Sequence, residues 1–212
     1  MIKSGKGLII FIKNPILGKV KTRLAKDIGD KKALEAYKLL MQYTHDIAMK
    51  SDTSKYLFYS DFIEDADNWS PREFRKMVQY GDDLGKCMFN AIELTLLENT
   101  KAVLIGSDCP EIKKKHIDTA FKQLRTRDVV LGPAEDGGYY LIGVKQNSKA
   151  LFREMNWSTS DVLEKTIEKI KELGMTYCLI ERLSDVDTVE DWDKYEGDLR
   201  NRYMYRHTGE EE

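Results

Sequence analysis

The chain has 212 residues, of which 42% are hydrophobic and 33% charged, and its formal net charge is −2. This balance is typical of a globular protein, and the length suits a single domain over residues 1–212, with a frayed tail from about residue 203. Its three separated cysteines form no CxxC pair and the apolar run 8–12 is short, so we expect a cytoplasmic protein with no disulfide framework, zinc knuckle or membrane span.

Along the chain, apolar runs of strand length alternate with longer stretches of helical period, which predicts βαβ units and a largely parallel sheet. The expected strands cover residues 7–13, 55–60, 75–79, 102–107, 128–132, 139–144 and 176–181. A helix is expected between the first two strands, because one helical face is formed by Leu34, Tyr37, Met41, Thr44 and Ala48. Further helices are expected over 84–97, 112–124 and 160–173.

Three signals mark helix ends in the second half of the chain. Ser158-x-x-Asp161 and Thr188-x-x-Asp191 resemble capping boxes, in which two side chains satisfy the first backbone donors of a helix. Gly174 follows a helical stretch and is placed to end it.

The first candidate site is the loop after the first strand, residues 13–23, which carries Lys13, Lys19, Lys21 and Arg23. Residues 1–26 contain seven Lys or Arg and no Asp or Glu. Because no long basic stripe or interleaved aromatic platform accompanies it, this loop favours a compact phosphate-bearing ligand over a nucleic acid. Neither a Walker A motif nor a GxGxxG fingerprint is present. A merely solvated basic turn is the alternative.

Carboxylates follow three later strands. Asp108, within residues 106–110, comes directly after a strand and suits a hard divalent cation, although a turn that satisfies backbone donors is the alternative. Glu135 and Asp136 precede two glycines, which permit positive φ and close approach to a ligand. Asp185 and Asp187 alternate after the last strand, although a helix N-cap at position 187 or 188 also explains them.

These loops are predicted to share the carboxyl edge of the sheet, where ligands bind in open α/β folds. A cationic loop together with carboxylates supplies the parts of a nucleotide-diphosphate and divalent-metal site. The sequence therefore predicts a phosphate-bearing ligand and an Mg²⁺ or Mn²⁺ ion at this edge.

Seven motifs, in order, resemble one family. They are FIKNP (11–15), GKVKTRL (18–24), GDDLG (81–85), GSDCP (106–110), GPAEDGGYYLIG (132–143), WST (157–159) and DVDT (185–188). Over residues 8–192 the chain resembles the bacterial glycosyltransferase-like family of the nucleotide-diphospho-sugar transferase superfamily, some members of which are named for arsenosugar biosynthesis. It is more distantly similar to the guanylyltransferases that activate phospholactate.

The resemblance implies a GT-A-type, Rossmann-like αβα sandwich with a mostly parallel central sheet and the nucleotide over the end of the first strand. It assigns nucleotide and phosphate binding to Lys13, Lys19, Lys21, Arg23, Asp82, Gly106 and Ser107. It assigns the metal to Asp108, with Asp187 or Asp136 to complete the metal or acceptor site, and the catalytic base to Asp136 or Glu135. Two departures are that Gly106 removes an Asp-x-Asp pair and that Lys86-Cys87 stands where the family more often has Glu-Arg.

Three functions fit this predicted site. The leading expectation is metal-dependent transfer of a sugar from a nucleotide sugar to a small acceptor. The first alternative is a nucleotidylyltransferase that joins a nucleoside triphosphate to a phosphorylated small molecule and releases pyrophosphate. The second alternative is a non-catalytic nucleotide-sugar-binding module.

Overall fold

The computed structural model describes residues 5–146 and 149–203. Its strands are β1 (Lys6–Ile12), β2 (Ser54–Tyr59), β3 (Phe74–Val78), β4 (Lys101–Ile105), β5 (Val129–Pro133), β6 (Tyr139–Val144) and β7 (Tyr177–Leu179). Its α-helices are α1 (Thr22–Ile28), α2 (Asp30–Met49), α3 (Leu84–Glu98), α4 (Lys114–Gln123), α5 (Val162–Glu172) and α6 (Val189–Tyr203). No helix of the described part is long and apolar enough to cross a membrane. The frayed tail expected beyond Tyr203 lies outside the described residues.

The strands form one sheet in the order β3-β2-β1-β4-β6-β5-β7. Every neighbouring pair is parallel except those of β6, which runs antiparallel to β4 and β5. The reversal follows from the short connection over residues 134–138, since a parallel crossover needs a dozen residues or more. The start of β6 therefore lies at the same edge as the carboxyl ends of β1 and β4.

Helices cover both faces of the sheet, as the predicted αβα sandwich requires. In β1, Leu8, Ile10 and Ile12 face a core that contains residues of α1, α2, α4 and α6. Ile9 and Phe11 face the opposite core, which contains residues of α3 and α5. Burial on both faces explains why the central strands read as continuous apolar runs rather than as alternating ones.

Most of the predicted helix signals are confirmed. Thr188 N donates to Asp191 Oδ2 at 3.1 Å and Asp191 N donates to Thr188 Oγ1 at 3.3 Å, which completes the capping box of α6. Gly174 follows α5 with φ of 64°. The prediction that Ser158 caps a helix is wrong, because α5 begins four residues later, with Asp161 as its N-cap residue. Helices α4 and α5 each begin two residues after their predicted starts at 112 and 160.

The edge strand β7 is short and is held by a side-chain clamp at its start. Thr176 donates to Asp128 Oδ2 from its backbone N at 2.9 Å and from its hydroxyl at 2.6 Å. The pKa of Asp128 is lowered to about 2, mostly by the hydrogen bond from the Thr176 hydroxyl, then by the one from the Thr176 backbone N and by Lys145. These hydrogen bonds fix the residue before β7. Residues 180–188 follow β7 and lie at the carboxyl edge of the sheet.

Candidate functional site

The predicted loops meet at the carboxyl edge of the sheet. Val186 N donates to the backbone oxygen of Asp108 at 3.0 Å, which joins the loop after β4 to the segment before α6. Leu183 N donates to Pro133 O at 3.1 Å, which joins the same segment to the end of β5. Backbone hydrogen bonds thus bring the acidic segments 106–110, 134–138 and 185–187 together.

Lys21 is the cation at the centre of this edge. Its side chain is 4% exposed, and its Nζ lies 3.1 Å from Asp108 Oδ1 and 3.6 Å from Asp187 Oδ1. It donates to Val186 O at 2.6 Å. Arg23 is largely exposed and pairs with Asp187 at 3.3 Å. Because Thr188 caps α6, the Asp187 side chain is left to pair with these two cations.

A buried tyrosine hydroxyl joins the cationic loop to the loop after β4. Tyr37, on α2, accepts from Lys13 N at 2.7 Å, donates to Lys13 O at 3.1 Å and lies 3.1 Å from Ser107 Oγ. Burial, followed by the nearby Asp108 charge, raises the pKa of Tyr37, so the hydroxyl keeps its proton. Tyr37 was predicted only as part of a helical core face, and its position fixes the Lys13 backbone beside Ser107.

Asp185 is the acidic residue that the sequence-based assignment of ligands omits. Its Oδ1 is buried and has no hydrogen-bond partner among the described residues. Burial, followed by the charges of Asp108 and Asp136, raises the pKa of Asp185 to about 7, and the charge of Lys21 opposes this shift. The signal was present in the alternation of Asp185 and Asp187, but the choice between them depended on packing.

Two adjoining clefts open at this edge and share Asp136 and Ser158. The polar cleft, of about 260 Å³, is lined by Lys13, Lys21, Arg23, Tyr37, Asp108 and Asp187, among others. The apolar cleft, of about 240 Å³, is lined mainly by Phe11, Leu84, Met88, Tyr139 and Trp157, with Gly106 and Asp185 at its polar side. A ligand with a charged part and an apolar or aromatic part matches this division.

Some predicted site residues lie outside both clefts. Lys19 and Glu135 are exposed and line neither of them. Asp82 precedes α3 and lines a different cleft, of about 420 Å³, with Lys86 and Arg153 among its walls. Gly137 has the positive φ that the glycine pair permits, 89°, but the group that lies close to it is the backbone of Ser160. Its close approach to a ligand stays a prediction.

The chemistry of the carboxylates fits a divalent cation that is only partly held by protein. Oδ1 of Asp108 lies within ion-pair distance of Lys21 but has no hydrogen-bond partner among the described residues, and neither has Oδ1 of Asp185. Within residues 5–146 and 149–203, no group of three or more His, Cys, Asp or Glu is arranged to hold a metal ion. Mg²⁺ commonly takes one or two protein carboxylates and completes its shell with substrate phosphates and water. Asp108 and Asp187 therefore stay predicted ligands, and both oxygens of Asp187 are paired with cations of the chain, Oδ1 with Lys21 and Oδ2 with Arg23.

The fold is the α/β fold of nucleotidyltransferases and nucleotide-diphospho-sugar transferases. Residues 43–159, more than half of the chain, match the family described as "Uncharacterized protein conserved in bacteria (DUF2064)", and the chain belongs to that family. This match, together with the relatives described next, confirms the resemblance that the motifs carry.

Relatives with known names agree with this class. The chain is 28% identical over 181 residues to 2-phospho-L-lactate guanylyltransferase of Methanocaldococcus jannaschii, covering 82% of this chain and 76% of the relative. A crystal structure from Desulfovibrio desulfuricans G20, described as a "putative nucleotide-diphospho-sugar transferase", is 28% identical with a TM-score of 0.83 and covers 96% of this chain and 90% of that one. The inositol-1-phosphate CTP transferase of T. maritima, at 13% identity and a TM-score of 0.58 over 94% of this chain and 96% of that one, shares the fold.

Proposed function

We propose that the protein is a nucleotidylyltransferase that joins a nucleoside triphosphate to a phosphorylated small molecule and releases pyrophosphate. The observation that carries the proposal is the polar cleft, in which Lys13 and Arg23 adjoin the carboxylates of Asp108 and Asp187. The similarity to a guanylyltransferase over 82% of the chain favours nucleotidyl transfer over the sugar transfer that the sequence led us to expect first.

In the proposed reaction, an oxygen of the acceptor phosphate forms a bond to the α-phosphorus of the triphosphate. The bond between the α-phosphorus and the oxygen that bridges it to the β-phosphorus breaks, and its electron pair leaves with pyrophosphate. The acceptor phosphate is already deprotonated near neutral pH, so no general base has to remove a proton. Catalysis then depends on positioning and on neutralising the charge that develops on the leaving group.

The residues of the polar cleft supply those two functions. Lys13 and Arg23 are exposed cations that would hold the phosphates. The Tyr37 hydroxyl fixes the backbone of Lys13, from which the first of these cations extends. Asp108 and Asp187 would hold Mg²⁺ or Mn²⁺, which when bound neutralises charge on the departing pyrophosphate. The apolar cleft beyond Asp136 has the aromatic walls that suit a base or another uncharged part of a substrate.

Sugar transfer is the second candidate, because the 28% identical Desulfovibrio structure is described as a nucleotide-diphospho-sugar transferase. An inverting transfer to a hydroxyl needs a base, and Asp136, which lines both clefts, is the carboxylate placed for that role. The two candidates therefore differ in the donor that is consumed and in whether Asp136 takes a proton.

A thermal-shift panel separates the candidates at the level of binding. The panel tests nucleoside triphosphates and nucleotide sugars, each with and without Mn²⁺, because a specific ligand raises the apparent stability by mass action. We expect stabilisation by a triphosphate with Mn²⁺, and its loss in Asp108→Asn. The matched control is Asp118→Asn, whose side chain is similarly exposed but lies on α4. Stabilisation by nucleotide sugars alone, or an unchanged shift in Asp108→Asn, would contradict the proposal.

A further inference from the structure

The Lys21 ammonium lies between the two proposed metal ligands, Asp108 and Asp187. Three oxygens surround Nζ: one from Asp108, one from Asp187 and the backbone oxygen of Val186. The side chain is 4% exposed, whereas those of Asp108 and Asp187 are 45% and 43% exposed. All three residues line the polar cleft, but the Lys21 side chain is almost fully covered while the two carboxylates are partly exposed.

Lys21 is also held in an unusual backbone conformation. It is the N-cap residue of α1 with φ of 48° and ψ of 45°, and its side chain forms no cap hydrogen bond. A left-handed conformation costs free energy for any residue other than glycine, so it persists where the surroundings enforce it. The three oxygen contacts of Nζ fix the other end of the same residue.

The oxygens around Lys21 are those that a divalent cation would use. Carboxylate and carbonyl oxygens are the preferred ligands of Mg²⁺ and Mn²⁺. Asp185 adds a further buried carboxylate beside them, with an oxygen that has no hydrogen-bond partner in the described part of the chain. An ammonium that is paired with Asp108 and Asp187 lowers the affinity of this pair for a divalent ion, because the positive charges repel each other at short distances.

We propose that the Lys21 ammonium is a built-in counterion that keeps free divalent ions from the Asp108–Asp187 pair, so that the ion enters together with the nucleotide. This inference rests on the proposed function for the identity of the incoming ligand. The triphosphate offers anionic oxygens to Lys21 and ligands to the ion at the same time. The exchange therefore replaces carboxylate contacts of Lys21 by phosphate contacts and leaves Asp108 and Asp187 to the ion.

The test measures Mn²⁺ binding to the nucleotide-free protein by electron paramagnetic resonance of the free ion. We expect weak binding by the wild type and at least fivefold tighter binding by Lys21→Met, whose side chain has similar length and no charge. The matched control is Lys26→Met, an exposed lysine on the same helix, which should bind Mn²⁺ as the wild type does. A gain of less than fivefold, or weaker binding, would overturn the proposal.

Two further variants control for unfolding of Lys21→Met and for binding of the ion at another place. Lys21→Gln replaces Lys21→Met if circular dichroism shows that the latter is unfolded, and the same gain is expected. The double variant Lys21→Met with Asp108→Asn should lose the gain, whereas a retained gain would place the ion elsewhere and refute the inference. Because no nucleotide is present, this result is independent of whether the protein later proves to release pyrophosphate.

Discussion

Gly137→Ala tests how the turn before β6 is built. Gly137 has φ of 89°, and a Cβ added to it would lie 2.0 Å from the backbone oxygen of Ser160 and 2.6 Å from its backbone carbon. The turn is fixed to α5 because Leu163 N donates to Gly137 O at 2.9 Å. Since the opposing atoms belong to the backbone, neither side can yield by rotating a side chain.

The expected cost has two parts. The left-handed conformation costs about 1–2 kcal/mol for alanine, and the backbone shift that relieves the overlap adds strain of about 1–3 kcal/mol. We therefore expect Gly137→Ala to lower the free energy of unfolding by about 2–5 kcal/mol, equivalent to roughly 10 °C in Tm for a chain of this size. The displaced turn carries Asp136, so nucleotide binding should weaken as well.

Gly174→Ala is the matched control. Gly174 also has positive φ, 64°, but no atom lies within 4 Å of its added Cβ. It should lose only the conformational part, about 1–2 kcal/mol, and keep nucleotide binding. Urea denaturation of both variants and the wild type measures the difference. If Gly137→Ala is no more destabilising than Gly174→Ala, the close approach to Ser160 is not a constraint and the reasoning fails.

Three further substitutions test individual contacts. Tyr37→Phe removes the hydroxyl that holds Lys13; we expect a loss of about 1–2 kcal/mol in urea denaturation and a higher nucleotide Kd, and an unchanged Kd would refute the positioning role. The lowered pKa of Asp128 stabilises the fold above its unfolded-state pKa, and this contribution is lost as pH falls from 3.8 to about 2. Because the side chain is 37% exposed, it amounts to about 1 kcal/mol, and Asp128→Asn should remove that slope from Tm measured between these pH values. Thr188→Ala should cost about 1 kcal/mol of unfolding free energy through the lost cap, and no change in urea denaturation would contradict it.

The sequence was sufficient to predict the sheet and the edge at which the site lies. The strands are buried on both faces, so their apolar runs stand out from the amphipathic helices. Lys21, Asp108 and Asp187 meet because parallel strands place their carboxyl ends at one edge. The start of β6 joins that edge because its connection to β5 is too short for a crossover. The short distance between the two apolar runs in the sequence already indicates that this connection is short.

Other features depend on packing between distant segments and have no local signal. The Tyr37 hydroxyl reaches Ser107 across 70 positions of sequence, and a helical face reveals burial without revealing the atom that the hydroxyl contacts. Ser158 had the pattern of a capping residue, but with φ of 66° it lies instead between the two clefts. The enclosure of Lys21 likewise follows from the return of residues 185–187, which charge patterning along the chain does not predict.

The fate of labelled phosphate tests the proposed nucleotidyl transfer most directly. The protein is incubated with Mg²⁺, a panel of phosphorylated small molecules as acceptors, and a nucleoside triphosphate labelled at either the α- or the γ-phosphate. We expect the α-label to enter the acceptor product and the γ-label to enter pyrophosphate, and both transfers to be lost in Asp108→Asn. Release of a nucleoside diphosphate from a nucleotide sugar, with no pyrophosphate formed from any triphosphate tested, would contradict it.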